Sequence, residues 1–144
     1  HYKSMIKLCL ICNKEFKTNI ESLIDSNVRR IFTNTHRKEI IKFTSEFKNG
    51  ILGKNINIED YSYLISAPLE SLINQAFNLD FKLISIPFQH KNHAFLIDSI
   101  DMNTILDPTA EQFNNEEITF PSVYLGEIPS LYKNWILLAI NKGK

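Results

Sequence analysis

Apolar positions along the chain change their rhythm near its middle. In the first fifty residues they recur at helical intervals: Phe16, Ile20, Leu23 and Ile24 form one set, and Ile40, Ile41, Thr44 and Phe47 a second. Side chains three and four residues apart share a helix face, so this half of the chain is predicted to be mostly helix. Thr35 stands where an N-cap for the second helix belongs, and Asn49-Gly50 where it would stop. The run from Gly50 to Ile58 carries turn residues and reads as a loop. A third helix is predicted from about Asp60 to Phe77, with Leu69, Leu72, Ile73 and Ala76 on one face. Pro68 lies within it and either kinks the helix or marks its true start, because proline lacks the N–H an interior turn uses.

After Phe77 the rhythm shortens. Phe81-Lys82-Leu83-Ile84-Ser85-Ile86 alternates weakly, and two apolar, β-branched runs follow, one from His93 to Asp98 and one from Thr104 to Asp107. Asp101-Met102-Asn103 between them has hairpin-turn chemistry. Residues 128–141 return to an apolar helical pattern with Pro129 near its start. The expectation is one α+β domain over residues 1–144. It has a helical part over 1–50, a chemistry-bearing core over about 55–115 and a C-terminal segment over 116–144.

Composition narrows the function classes. With 16 basic and 16 acidic residues the formal net charge is +0, so no broad field draws the chain to nucleic acid or to an anionic membrane. The longest apolar runs, such as Trp135 to Ile140, fall far below the roughly 18 apolar residues of a membrane span. No glycine-rich phosphate loop is present, so no nucleotide cofactor is expected. Cys9 and Cys12 form a single CxxC with apolar filling, and neither His36, His90 nor His93 stands at ligand spacing to it. Both are read as core thiols rather than half of a zinc site, and no metal is expected. Tyr124, Tyr132 and Trp135 are read as packing around the C-terminal helix. The start, His1-Tyr2-Lys3-Ser4-Met5, has no signal-peptide order and reads as an excised domain carrying a few vector residues.

The chemistry sits in His93-Ala-Phe-Leu-Ile-Asp and in Asp107-Pro-Thr-Ala-Glu-Gln-Phe. His93 opens one strand and Asp107 closes the next. On antiparallel neighbours joined by a tight turn, the start of one strand lies beside the end of the other. Imidazole and carboxylate can therefore meet at one sheet edge. A carboxylate on one ring nitrogen fixes the tautomer and leaves the second nitrogen for a nucleophile. Each residue taken singly has an ordinary explanation, a satisfied strand histidine and a turn-opening aspartate.

A histidine, an apolar strand, a turn and a strand ending in Asp-Pro-Thr together resemble the papain/transglutaminase-like superfamily. The resemblance covers residues 55 to 115. It implies an α+β fold with a helix packed on a small antiparallel sheet, and a triad in chain order Cys, His, Asp. The family places its cysteine at a helix N-terminus, where the dipole favours thiolate, with a small residue at i+4. No cysteine stands there. Ser62 fits that register best, with Ser66 at i+4. Ala67 is the second choice, with Pro68 in its first turn, and Ser66 the third, since Glu70 would then crowd its i+4 place. Cys12 precedes a helix-like segment but lies in apolar surroundings where a thiol is inert. Three readings of the nucleophile position stay open: a cysteine replaced at Ser62 or Ala67, a pseudoenzyme, or a serine that acts itself.

The resemblance implies acyl transfer through a thioester on a protein substrate: deamidation of glutamine, transglutamination or proteolysis, with deamidation leading. The first oxyanion donor would be the backbone N–H of the nucleophile position; Gln89, Asn55 and Asn57 are candidates for the second. Small glutamine deamidases of this kind are found among bacterial toxin and effector domains, which implies secretion or delivery into a target-cell cytosol, or otherwise a cytoplasmic protein. The alternative is an interaction domain that keeps the fold without its chemistry.

Overall fold

A computed structural model describes residues 4–8, 15–19, 35–52, 61–88 and 91–142. Strands β1 (Ser4–Leu8) and β2 (Glu15–Asn19) pair antiparallel, with Ile6 opposite Lys17. Helices α1 (Arg37–Leu52) and α2 (Ser62–Phe77) follow. Then come β3 (Phe81–Phe88), β4 (Lys91–Asp98), β5 (Thr104–Asp107), a 3-10 turn (Ala110–Phe113), β6 (Tyr124–Glu127) and α3 (Ser130–Lys142). Strands β3 to β6 form one antiparallel sheet in chain order. The class is α+β.

Strand periodicity sorts the core into two faces, since alternate side chains leave opposite sides of a sheet. Leu96, Leu106 and Leu125 are neighbours in register and face α1 and α2, where Ile40, Leu69, Ile73 and Phe77 complete a buried cluster. Phe95, Ile97 and Ile105 point the other way, against Tyr132 and Trp135 of α3. Each such aliphatic or aromatic side chain taken out of water contributes about 1.5–3 kcal/mol. His93 and Asp107 share the odd-numbered face with Phe95 and Ile105, and so lie beneath α3.

Helix α2 also closes one edge of the sheet. Among the described residues, strand β3 pairs with β4 alone. On its outer side, the Asn74 carboxamide accepts from Phe81 N–H at 2.8 Å and donates to Phe81 C=O at 2.9 Å. A side-chain amide thus takes both bonds that a neighbouring strand would make. Glu70 accepts the next outward N–H, that of Leu83. Pro87 has no N–H to offer.

Several expected elements shift. The helical reading of residues 1–50 holds for Arg37–Leu52, but 4–8 and 15–19 are strands. There the two-residue alternation of Glu15-Phe16-Lys17-Thr18 and pairing with β1 win over the helical spacing of Phe16 with residues 20–24, which lie outside the described residues. Helix α1 runs through Asn49-Gly50 to Leu52, so the expected stop and the start of the expected loop are helical. Pro68 neither starts nor ends α2, which begins at Ser62 and passes through it. The short strand β6 has no counterpart in the sequence reading.

Candidate active site

Asp107 ends β5, and its carboxylate accepts four donors. Oδ2 accepts from His93 Nε2 at 2.6 Å and from the Tyr132 hydroxyl at 2.5 Å. Oδ1 accepts from Thr109 N–H at 2.9 Å and from Thr109 Oγ1 at 3.3 Å. The Thr109 bonds are local: an aspartate that bonds the backbone two residues on makes an Asx turn, which the Asp-Pro-Thr sequence favours. The sheet supplies the others: β4 begins at Lys91, two residues before the expected start, which leaves His93 in its first half beside the end of β5, and α3 lays Tyr132 across both.

The site is dry. His93 is 3% exposed, and Asp107 and Tyr132 are 0% exposed. Aromatic rings enclose the imidazole. Phe113 meets it edge-on at 4.7 Å between centroids, Tyr132 edge-on at 5.6 Å, and Phe95 stacks at 5.6 Å. Trp135 stacks on Tyr132 at 4.9 Å and seals the cage. Burial, and then the adjacent Asp107 charge, holds the Tyr132 hydroxyl well above the ordinary tyrosine range. Tyr132 therefore acts as a neutral donor.

The tautomer of His93 follows from its partners. Gln112 Nε2 lies 3.3 Å from Nδ1, 3.0 Å from Thr109 C=O and 3.2 Å from Thr109 Oγ1. A carbonyl oxygen can only accept, so the nitrogen end of the carboxamide faces it. That same nitrogen can only donate, so Nδ1 is the acceptor and carries the lone pair. The ring proton is then on Nε2, directed at Asp107. Such an arrangement leaves Nδ1 as the ring atom that could take up a proton.

Helix α2 meets β4 beside His93, through its first two turns. Ser62 Oγ accepts from Ala94 N–H at 3.3 Å, and Ser66 Oγ donates to Ala94 C=O at 3.2 Å. Two serines one turn apart thus satisfy both backbone groups of the residue next to His93. Ser62 is the first residue of α2, where backbone N–H groups are unpaired and the dipole is positive. Its hydroxyl is directed at the Ala94 peptide rather than at the imidazole. Ser66 is fully buried; Ala67 is half-buried and Pro68 exposed. Cys9, Cys12, Asn55, Asn57 and Gln89 lie outside the described residues.

Three members of the site were not assigned roles by sequence. Thr109 and Gln112 belong to the motif that drew attention to Asp107, but the 3-10 turn that swings Gln112 back onto His93 has no signature in the residues. Tyr132 was read as packing; its hydroxyl reaches Asp107 only because α3 crosses the sheet. A tether outside the cage holds the turn. Lys48 of α1 donates from Nζ to Glu111 Oε1 at 2.8 Å and to Ser122 C=O at 2.9 Å.

No helix among the described residues is long and apolar enough to cross a membrane. Among them, no group of three or more histidine, cysteine or acidic side chains is arranged to hold a metal ion. No protein-family model, curated protein or solved structure matches the chain.

Proposed function

We propose that this is a papain/transglutaminase-like domain built for thiol-type acyl transfer on protein glutamine, with deamidation as its leading reaction and position 62 as the nucleophile site. The observation that carries the reading is the buried His93–Asp107 bond at 2.6 Å, beside the peptide on which the first residue of α2 is docked. In the thiol form, His93 Nδ1 takes the proton from sulfur, and the thiolate attacks the substrate carboxamide carbon. The proton then passes from Nδ1 to the departing ammonia. Water hydrolyses the thioester in a second cycle of the same transfers. Asp107 holds the imidazolium in register throughout, and the N–H groups at the start of α2 face the developing oxyanion. The substrate is a protein of a target cell reached after secretion or delivery, in keeping with a toxin or effector domain whose nucleophile has been replaced.

The experiment is thiol labelling of Ser62→Cys and Ala67→Cys with a haloacetamide near pH 6, each with and without His93→Ala. Ammonia release from a carbobenzoxy-glutaminyl-glycine probe follows. Labelling faster than free cysteine that disappears with His93→Ala supports the reading. A thiol no faster than free cysteine at both positions removes it.

A second reading, a binding domain that keeps the fold without the chemistry, is favoured by one feature. The Ser62 hydroxyl is directed at Ala94 N–H while His93 is enclosed, so the serine form has no base-activated nucleophile. Inert thiols in the labelling experiment would select this reading.

A further inference from the structure

Gln112 occupies the one atom of His93 that acyl transfer would use. Its carboxamide nitrogen is held by Thr109 C=O at 3.0 Å and Thr109 Oγ1 at 3.2 Å, and it donates toward Nδ1 at 3.3 Å. A base takes a proton through its lone pair, and here that lone pair already accepts an N–H. Once Nδ1 is protonated, two N–H groups would point at each other across this gap, so the contact cannot persist in the imidazolium form. The carboxamide is also well placed to open. Gln112 is half-buried at the rim of the cage, on a four-residue 3-10 turn, whereas His93 beneath it is almost fully buried.

We propose that Gln112 is a positioning residue that caps His93 Nδ1, and that this contact opens before His93 takes up a proton. The opening step rests on the acyl-transfer reading; the cap itself does not. Asp107 alone would select the same tautomer, so what Gln112 adds is cover. It keeps water and adventitious electrophiles from the lone pair until an incoming group displaces the carboxamide.

The test uses diethyl pyrocarbonate, which acylates an imidazole nitrogen bearing a free lone pair, on the full chain at neutral pH. Modification is mapped by mass spectrometry on the peptides holding His93 and His36. His36 is 0% exposed and distant from the motif, so it reports loss of fold. Gln112→Ala and Gln112→Asn, the latter one methylene short of Nδ1, are compared with the natural residue. The expected result is a His93 rate raised by about tenfold, as loss of one covering hydrogen bond at the top of its usual range allows, with His36 unchanged. A purely structural role for Gln112 would move both histidines together. The proposal is overturned if neither variant accelerates His93 selectively over His36. Haloacetamide labelling of Ser62→Cys with and without Gln112→Ala separates the two ideas. Selective acylation of His93 beside an inert Cys variant keeps the cap and removes the acyl-transfer reading. Faster labelling on adding Gln112→Ala supports both.

Discussion

Replacing Tyr132 by phenylalanine removes one hydroxyl and little else. The ring keeps its stack on Trp135 at 4.9 Å and its contacts with Phe95 at 5.1 Å and Phe113 at 6.1 Å. What is lost is one of four donors to a carboxylate that is 0% exposed, so water cannot substitute for it. Hydrogen bonds to charged groups contribute about 1.5–3 kcal/mol, and about 2 kcal/mol is the expected loss. For 144 residues, about 2.1 cal/mol/K per residue gives an unfolding entropy near 0.3 kcal/mol/K. A loss of about 2 kcal/mol then lowers Tm by about 7 °C.

The effect also carries a pH signature. Burial raises the Tyr132 ionisation in the folded chain above its unfolded value near 10. The folded state therefore retains a proton that the unfolded state releases. This stabilisation is complete below about pH 10 and is lost as pH rises beyond it. Phenylalanine has no such proton, and the other titrating groups are common to both proteins. The gap between natural chain and variant should be constant from pH 7 to 9. It should then narrow by about 1.4 kcal/mol per pH unit above 10. Urea melts at stepped pH measure it. A loss below about 0.5 kcal/mol, the low end for a hydrogen bond, would refute the charged hydrogen bond. A gap that stays flat past pH 10 would refute the neutral, buried hydroxyl.

Two further outcomes concern α2. Pro68 is exposed in the helix interior and leaves the Leu64 carbonyl without its i+4 donor, so Pro68→Ala should stabilise by about 1–3 kcal/mol in urea melts. Asn74→Ala uncovers both Phe81 backbone groups at the edge of β3. It should cost about 1–3 kcal/mol and produce concentration-dependent association in sedimentation velocity runs.

Legibility followed the range of the interactions. The β4–β5 hairpin and the meeting of His93 with Asp107 were readable because a short turn and a two-residue period fix them locally. Helices α1, α2 and α3 were readable from their apolar periodicity, apart from their ends. The first half misled because Phe16 fits two rhythms, and a strand of five residues offers too few positions to decide between them. Strand β6 is four residues long, Tyr124-Leu-Gly-Glu, and becomes a strand only by pairing with β5. Within the site, the Thr109 turn is coded by its neighbours. The Tyr132 bond to Asp107 spans 25 residues and the Ser62 contact with Ala94 spans 32, and neither leaves a mark in local sequence.

The double anchoring of α2 settles which wall of the site is free to yield. At one end Ser62 and Ser66 grip the Ala94 peptide of β4; farther along, Glu70 and Asn74 grip the margin of β3. A helix fastened to two adjacent strands along three turns has no hinge about which to swing. Breathing of the site then falls to the walls that α2 does not form, the C-terminal helix α3 and the 3-10 turn that Lys48 moors to α1. The domain is thus built with one fixed wall, and the pace of its site would be set by the elements that face that wall.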